Sequence, residues 1–171
     1  CTASIAPAGE GKKGPPEMPR FGVRFAIPGA MSAVEWYGRG PHENYWDRRT
    51  SAPVGIHRAA VADWITPYVR PQENAGRCDV RWIAFRDASG AGLRVRAVGE
   101  PLMVTAWPYT AEDLAAARHD IELPRRETIT VSLDHRQMGV GGDNSWGLPV
   151  HDEYRLPAGT AMSFTFVLER E

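Results

Sequence analysis

Apolar and polar residues alternate along this chain in short stretches, each closed by glycine, proline or polar turn residues. Phe21–Ile27 reads FGVRFAI, Val34–Tyr37 reads VEWY, Val80–Phe85 reads VRWIAF and Leu93–Val98 reads LRVRAV. Thr128–Leu133 (TITVSL) and Met162–Leu168 (MSFTFVL) alternate most cleanly. A period of two sends successive side chains to opposite faces, so each stretch predicts a β-strand with one face inward. Thr2–Pro7 predicts a further short strand, and Gly9–Pro19 (GEGKKGPPEMP) a flexible loop. Six or more short strands without long helices between them predict an all-β fold, an antiparallel β-sandwich.

One helix interrupts this pattern. Thr110 is a good N-cap and Asp113 follows three residues later, close to a capping box. Glu112–Arg118 then has high helix propensity, with acids first and a base last. About two turns of helix make a connector packed on the sheet.

A chain of 171 residues can bury one real core, and no break in composition divides it, so residues 1–171 are read as a single domain. The formal net charge of −1 gives no reason to expect nucleic acid or an anionic membrane as partner. The longest apolar runs, such as Ala59–Ala62, fall far short of the roughly 20 residues of a membrane span. No signal peptide is visible, and a start at Cys1 reads as an excised piece of a longer chain. Cys1 and Cys78 do not form a metal-ligand pattern; a disulfide between them is one reading, a reduced cytoplasmic compartment the simpler one.

Three segments carry candidate chemistry. Trp36–Arg48 (WYGRGPHENYWDR) packs aromatic, acidic and basic residues into a Gly/Pro-rich turn, in which Glu43, Asp47 and Arg48 could form a fixed ion pair. A rigid structural corner is the preferred reading. Thr66–Asn74 (TPYVRPQEN) offers Gln72, Glu73 and Asn74 to sugar hydroxyls or to a neighbouring loop's backbone, with the loop favoured. Met138–Gly147 (MGVGGDNSWG) presents Trp146 from a glycine-rich loop, with neither the Lys-Ser/Thr ending nor the following helix of a phosphate loop. Its indole suits a sugar ring and suits a core equally. His42, His57, His119, His135 and His151 show no zinc-site spacing, and no GxSxG is present.

Taken together, WYGRGPHENYWDR, TPYVRPQEN with Arg77-Cys78 after it, and MGVGGDNSW resemble the C-terminal, small-chain domain of glycoside hydrolase family 2 β-galactosidases of the lacZ type. Order and spacing match from about Pro19 onward; Trp46 departs, since the family often has Pro there. The resemblance implies a C-terminal portion of an antiparallel supersandwich similar to galactose mutarotase folds, joined to a (β/α)₈ barrel and other domains of the same enzyme. It implies retaining hydrolysis of terminal β-D-galactosides such as lactose, by two carboxyl groups roughly 5 Å apart. Both are barrel glutamates in the family, and no segment here matches them, so no catalytic residue is assigned and the chain alone is expected to be inactive. Magnesium and sodium are implied for other domains of the full enzyme, with no cofactor and no metal ligand in this chain. Trp146 is the implied substrate-binding residue, an apolar wall for the leaving-group sugar, with Asp143, Asn144 and Ser145 holding its loop.

Sheet edges left bare by a missing portion would favour self-association as a homo-oligomer. Two other functions remain open. One is a free-standing galactoside-binding module that depends on Trp146. The other is a mutarotase-like enzyme, for which Glu73 and His42 are the loose acid–base candidates.

Overall fold

A computed structural model describes residues 1–6, 17–144 and 146–171. Its strands form two antiparallel sheets. The strands are β1 (Thr2–Ile5), β2 (Arg20–Pro28), β3 (Ala33–Arg39), β4 (Val54–Ala60), β5 (Arg77–Val80), β6 (Trp82–Arg86), β7 (Gly92–Val98), β8 (Leu102–Trp107), β9 (Thr128–Gln137) and β10 (Met162–Arg170). Six make one sheet in the order β1-β10-β7-β6-β3-β4, and four make the other in the order β2-β9-β8-β5. The all-β sandwich with one short helix is thus the observed architecture.

The core forms where the inward faces meet. Val34 and Trp36 of β3, Ile83 and Phe85 of β6, Val95 of β7 and Phe164 and Phe166 of β10 come from the larger sheet. Val104 and Ala106 of β8 and Ile129, Val131 and Leu133 of β9 come from the smaller. The outward face of the larger sheet carries ion pairs beside exposed Tyr37, Val54 and Ile56: Glu35 accepts from Arg58 and Arg86, and Glu171 lies between Arg86 and Arg94. Such surface pairs contribute little stability.

The smaller sheet is covered on both faces at β8 and along most of β9, while β2 keeps one face exposed. All six residues of β8 are buried, and so are Thr130, Ser132 and Asp134 on the outward face of β9. The loops after β3 and before β5 form the cover. Tyr45, Cys78 and Met103 make a second small core there, and the Trp107 indole donates to the Asn74 carbonyl at 3.0 Å. A strand buried on both sides loses the period-two signal, which is why LMVTAW gives no alternation to read.

The helix α1 spans Ala111–Ala116. Its capping box is complete: Asp113 N donates to Thr110 Oγ1 at 3.1 Å and Thr110 N donates to Asp113 Oδ2 at 2.9 Å. Arg126 then clasps the Asp113 carboxylate through Nε and Nη2 at 2.9 and 2.5 Å. The helix ends at Ala116, with Ala117 as its C-cap, before the expected Arg118.

One expectation needs correction, and one further strand was not expected. Val80–Phe85 is not one strand: Val80 ends β5 in the smaller sheet, and Trp82 opens β6 in the larger. The crossing follows Asp79, which has φ of 55° and has its carboxylate held by Arg39 and Arg49 at 2.5 and 2.7 Å. Strand β4 (VGIHRAA) is also real, although it shows little alternation of apolar and polar residues. Of the expected loop 9–19, residues 9–16 lie outside the described residues. Glu17 pairs with Pro157, and Met18 N donates to the Leu156 carbonyl at 2.8 Å.

Candidate functional site

The first two motif segments form a polar layer over the outward face of β8 and β9. Its hub is Glu43, whose side chain is only 8% exposed. Its carboxylate accepts from Arg48 Nη2 at 2.5 Å, the Tyr68 hydroxyl at 2.7 Å and the Ala75 backbone N–H at 2.7 Å. Burial alone would raise its pKa, but these three donors outweigh burial and hold it below the usual carboxylate range. Beneath it, Asn44 is fully buried; its amide donates to the His42 carbonyl at 2.9 Å and accepts from Cys78 N at 2.8 Å. Of the expected trio, Glu43 and Arg48 are paired. Asp47 points elsewhere and accepts from the Gly141 N–H at 2.8 Å.

Behind this hub, Arg77 is buried among aromatic rings. Its guanidinium lies over Trp64 at 4.6 Å and over Trp36 at 5.5 Å. Burial lowers its pKa to about 10, so it remains charged at neutral pH.

A second charged group lies where β2 and β9 end. Arg20 grips the buried Asp134 through Nη2 at 2.5 Å and Nε at 3.2 Å, and reaches Glu73 at 3.2 Å. Gly22 makes this possible, because a Cβ there would lie 2.2 Å from Asp134 Oδ1 and 2.4 Å from the Leu133 carbonyl. Tyr45 donates to the second Glu73 oxygen at 3.4 Å. Burial raises the pKa of Glu73 above the usual range against the pull of Arg20.

All three motif segments meet at an open groove of about 500 Å³. Arg48 lines it from the first, Tyr68, Gln72 and Glu73 from the second, and Met138–Gly141 from the third. Arg20 and Gln137 complete it from the paired ends of β2 and β9. Neither residue stood out in the sequence. The available signal was the arrival of Asp134 and Gln137 after the clean TITVSL alternation, in a strand that should otherwise have turned polar residues to solvent.

The third segment leaves the groove and turns outward. Gly139 N donates to the Tyr154 carbonyl at 2.9 Å, and a Cβ on Gly139 would lie 2.7 Å from the Asp47 carboxylate. Asn144 Oδ1 accepts from Trp146 N at 2.9 Å, closing a tight turn before Gly147 at φ 122°. Asp143 accepts from or pairs with His151 Nε2 at 2.7 Å. Ser145 lies outside the described residues. Trp146 itself is 89% exposed.

The remaining candidates separate from this region. His42 is exposed, lies 3.1 Å from the Ser51 hydroxyl and does not line the groove beside Glu73, so the structure does not bring the mutarotase-like pair together. Both cysteines are free, with Cys1 exposed and Cys78 buried, which removes the disulfide reading. Burial pushes the Cys78 thiol up to about 12, far from thiolate chemistry. Among the described residues, no three His, Cys, Asp or Glu side chains cluster as metal ligands, and no helix is long and apolar enough to cross a membrane.

Comparison with known proteins reaches the whole of this architecture. The family described as "Beta galactosidase small chain" matches residues 2–168. The β-galactosidase of Priestia megaterium is 41% identical over 155 residues, covering 90% of this chain and 15% of that protein. That of Halalkalibacterium halodurans is 42% identical over 163 residues, covering 95% and 16%. The β-galactosidase BgaC of Bifidobacterium adolescentis is 40% identical over 156 residues, covering 90% and 15%. This chain therefore spans less than one-fifth of the length of these relatives, and with nearly every residue matched it belongs to the β-galactosidase small-chain family.

Proposed function

We propose that this chain is the C-terminal part of a retaining β-galactosidase of glycoside hydrolase family 2, lacZ type, acting on terminal β-D-galactosides such as lactose in the cytoplasm. Its contribution is an aromatic wall, with the catalytic glutamates on a barrel domain of the same enzyme. The observation that carries this reading is the exposed indole of Trp146 on a loop whose backbone is held by Asn144 and Asp47. A large apolar ring left in water has a hydration cost that a partner can remove. Its flat face matches the C–H face of a pyranose, so it would orient the leaving-group sugar without taking part in proton transfer.

The polar layer beneath supports this role by default, because its strong donors and acceptors are turned inward on one another. Glu43 is fixed as an anion by three donors, and Glu73 is engaged by Arg20. Neither is placed as a free acid beside a nucleophile.

The test is reconstitution. The chain alone is expected to leave a chromogenic β-galactoside intact, and to restore turnover when mixed with the polypeptide that carries the barrel. Trp146→Ala in the complete enzyme should raise KM for lactose from a few-fold to about tenfold, with a smaller change in kcat. Turnover by the chain alone would contradict the proposal. A binding module, by contrast, would show saturable galactoside binding and no gain of turnover with the barrel.

A further inference from the structure

We infer that the groove joining the three motif segments is a second sugar contact of this domain, a subsite for the hydroxyl groups of a neutral pyranose. The inference rests on the galactoside reading above and extends it from one aromatic ring to a lined site.

The lining supports this chemistry. Tyr68, Gln72, Glu73 and Gln137 bring hydroxyl, amide and carboxylate groups to one surface. A sugar hydroxyl both donates and accepts, so it needs such a mixture, whereas an ion needs one sign. The cations in the groove are already matched: Arg20 by Asp134 and Glu73, Arg48 by Glu43. No guanidinium of the lining is left free for a phosphate or carboxylate ligand. Met138 and the exposed Val140 add an apolar lip for pyranose C–H groups. The volume of about 500 Å³ falls within the roughly 300–1,000 Å³ of small-ligand sites.

An independent observation comes from Gln137. The residue is 7% exposed, and its Oε1 is buried without a hydrogen-bond partner. A buried acceptor left without a donor is costly, and a turn of the Gln137 amide toward the groove would bring it to a ligand hydroxyl. Gln137 sits opposite Arg20 in the β2–β9 pairing, at the floor of the groove rather than in the apolar core.

The experiment titrates the full ¹⁵N-labelled chain with galactose, with lactose and with inorganic phosphate, following backbone amides by NMR. Saturable shifts at Gln72, Gly139, Val140 and Gly141 are expected with the sugars and not with phosphate. Gln72→Ala should weaken the sugar response about tenfold. Its side chain is exposed and its one side-chain hydrogen bond goes to the Arg70 carbonyl, so the fold is retained. Glu73→Gln should weaken it similarly, with thermal unfolding confirming that the variant is folded. Persistence of the groove shifts in Trp146→Ala supports the subsite even where the aromatic wall fails. Shifts confined to Trp146 and its neighbours, unaffected by Gln72→Ala, overturn the subsite and leave the wall standing. Equal shifts with phosphate, or no saturable shift at millimolar sugar, overturn the subsite as well.

Discussion

The corner around Glu43 and the loop around Trp146 are both rich in polar and aromatic residues, yet the fold treats them oppositely. In the corner Glu43, Arg48 and Tyr68 are partnered with one another, and Asn44 and Tyr45 are fully buried. In the loop the largest side chain is 89% exposed, Asn144 holds the loop's own backbone, and Asp143 meets the exposed His151. The difference shows that a motif can be built for two purposes at once. The corner fixes the platform over β8 and β9, and the loop spends that rigidity on presenting one ring. Asp47 links them, since it belongs to the first segment but accepts from Gly141 of the third.

The contrast breaks most completely at Glu43. Glu43→Ala strands the Ala75 N–H, the Tyr68 hydroxyl and the Arg48 guanidinium, the last of them partly solvated. A loss of about 2–4 kcal/mol is expected, read as a lower urea midpoint at unchanged slope. Acid should act in the same direction. Because the folded pKa of Glu43 lies below its ordinary 4.5, its contribution is present above pH 4.5 and lost as pH falls through the depressed value. Glu43→Gln should flatten that part of the acid limb, and an unchanged limb would show that other carboxylates govern it.

Gly139→Ala probes the link instead of the hub. The new methyl would meet the Asp47 carboxylate at 2.7 Å, so Asp47 or the loop must move. A cost of about 1–3 kcal/mol is expected, with displaced amide resonances at Gly141. If stability held and Gly141 did not shift, the Asp47 link would carry no weight.

How much of this was legible in the sequence depends on how local each cause is. The alternating strands and the Thr110–Asp113 capping box could be read because their signals lie within a few residues. Strand β8 could not, because its second buried face exists only once the Tyr45 and Asn74 loops are laid over it. The break between β5 and β6 was hidden inside VRWIAF, a strand-length stretch whose backbone changes sheets at its one charged residue, Arg81. The three motif segments were visible as a group, but not their convergence on one groove. Arg20–Asp134 spans 114 residues and Asp47–Gly141 spans 94, and no periodicity encodes pairings at that distance.

Trp146→Ala sharpens the comparison from the other side. An exposed ring packs against little, so stability should stay within about 0.5 kcal/mol of the parent in urea titration. A loss as large as that of Glu43→Ala would mean that the indole is a packing residue and not a presented one.

The smallest expected effect lies in the pin between His151 and Asp143. Hydrogen bonding to Asp143 raises the His151 pKa above its ordinary 6.5, with the charges of Asp143, Glu153 and Asp152 acting in the same direction. The sign for a raised base is fixed: the ion pair is fully present below pH 6.5 and is lost as pH rises through the higher folded value. Both side chains are exposed, so the global unfolding midpoint should hardly move. The local consequence is readable at the Trp146 N–H, which donates to Asn144 one residue beyond Asp143. Its hydrogen-exchange protection, corrected for the intrinsic pH dependence, should fall above that pH. Asp143→Asn should remove the step while leaving the Asn144 turn in place. Protection that is flat with pH in the parent chain would show that the turn alone, without the His151 pin, holds the loop that carries the ring.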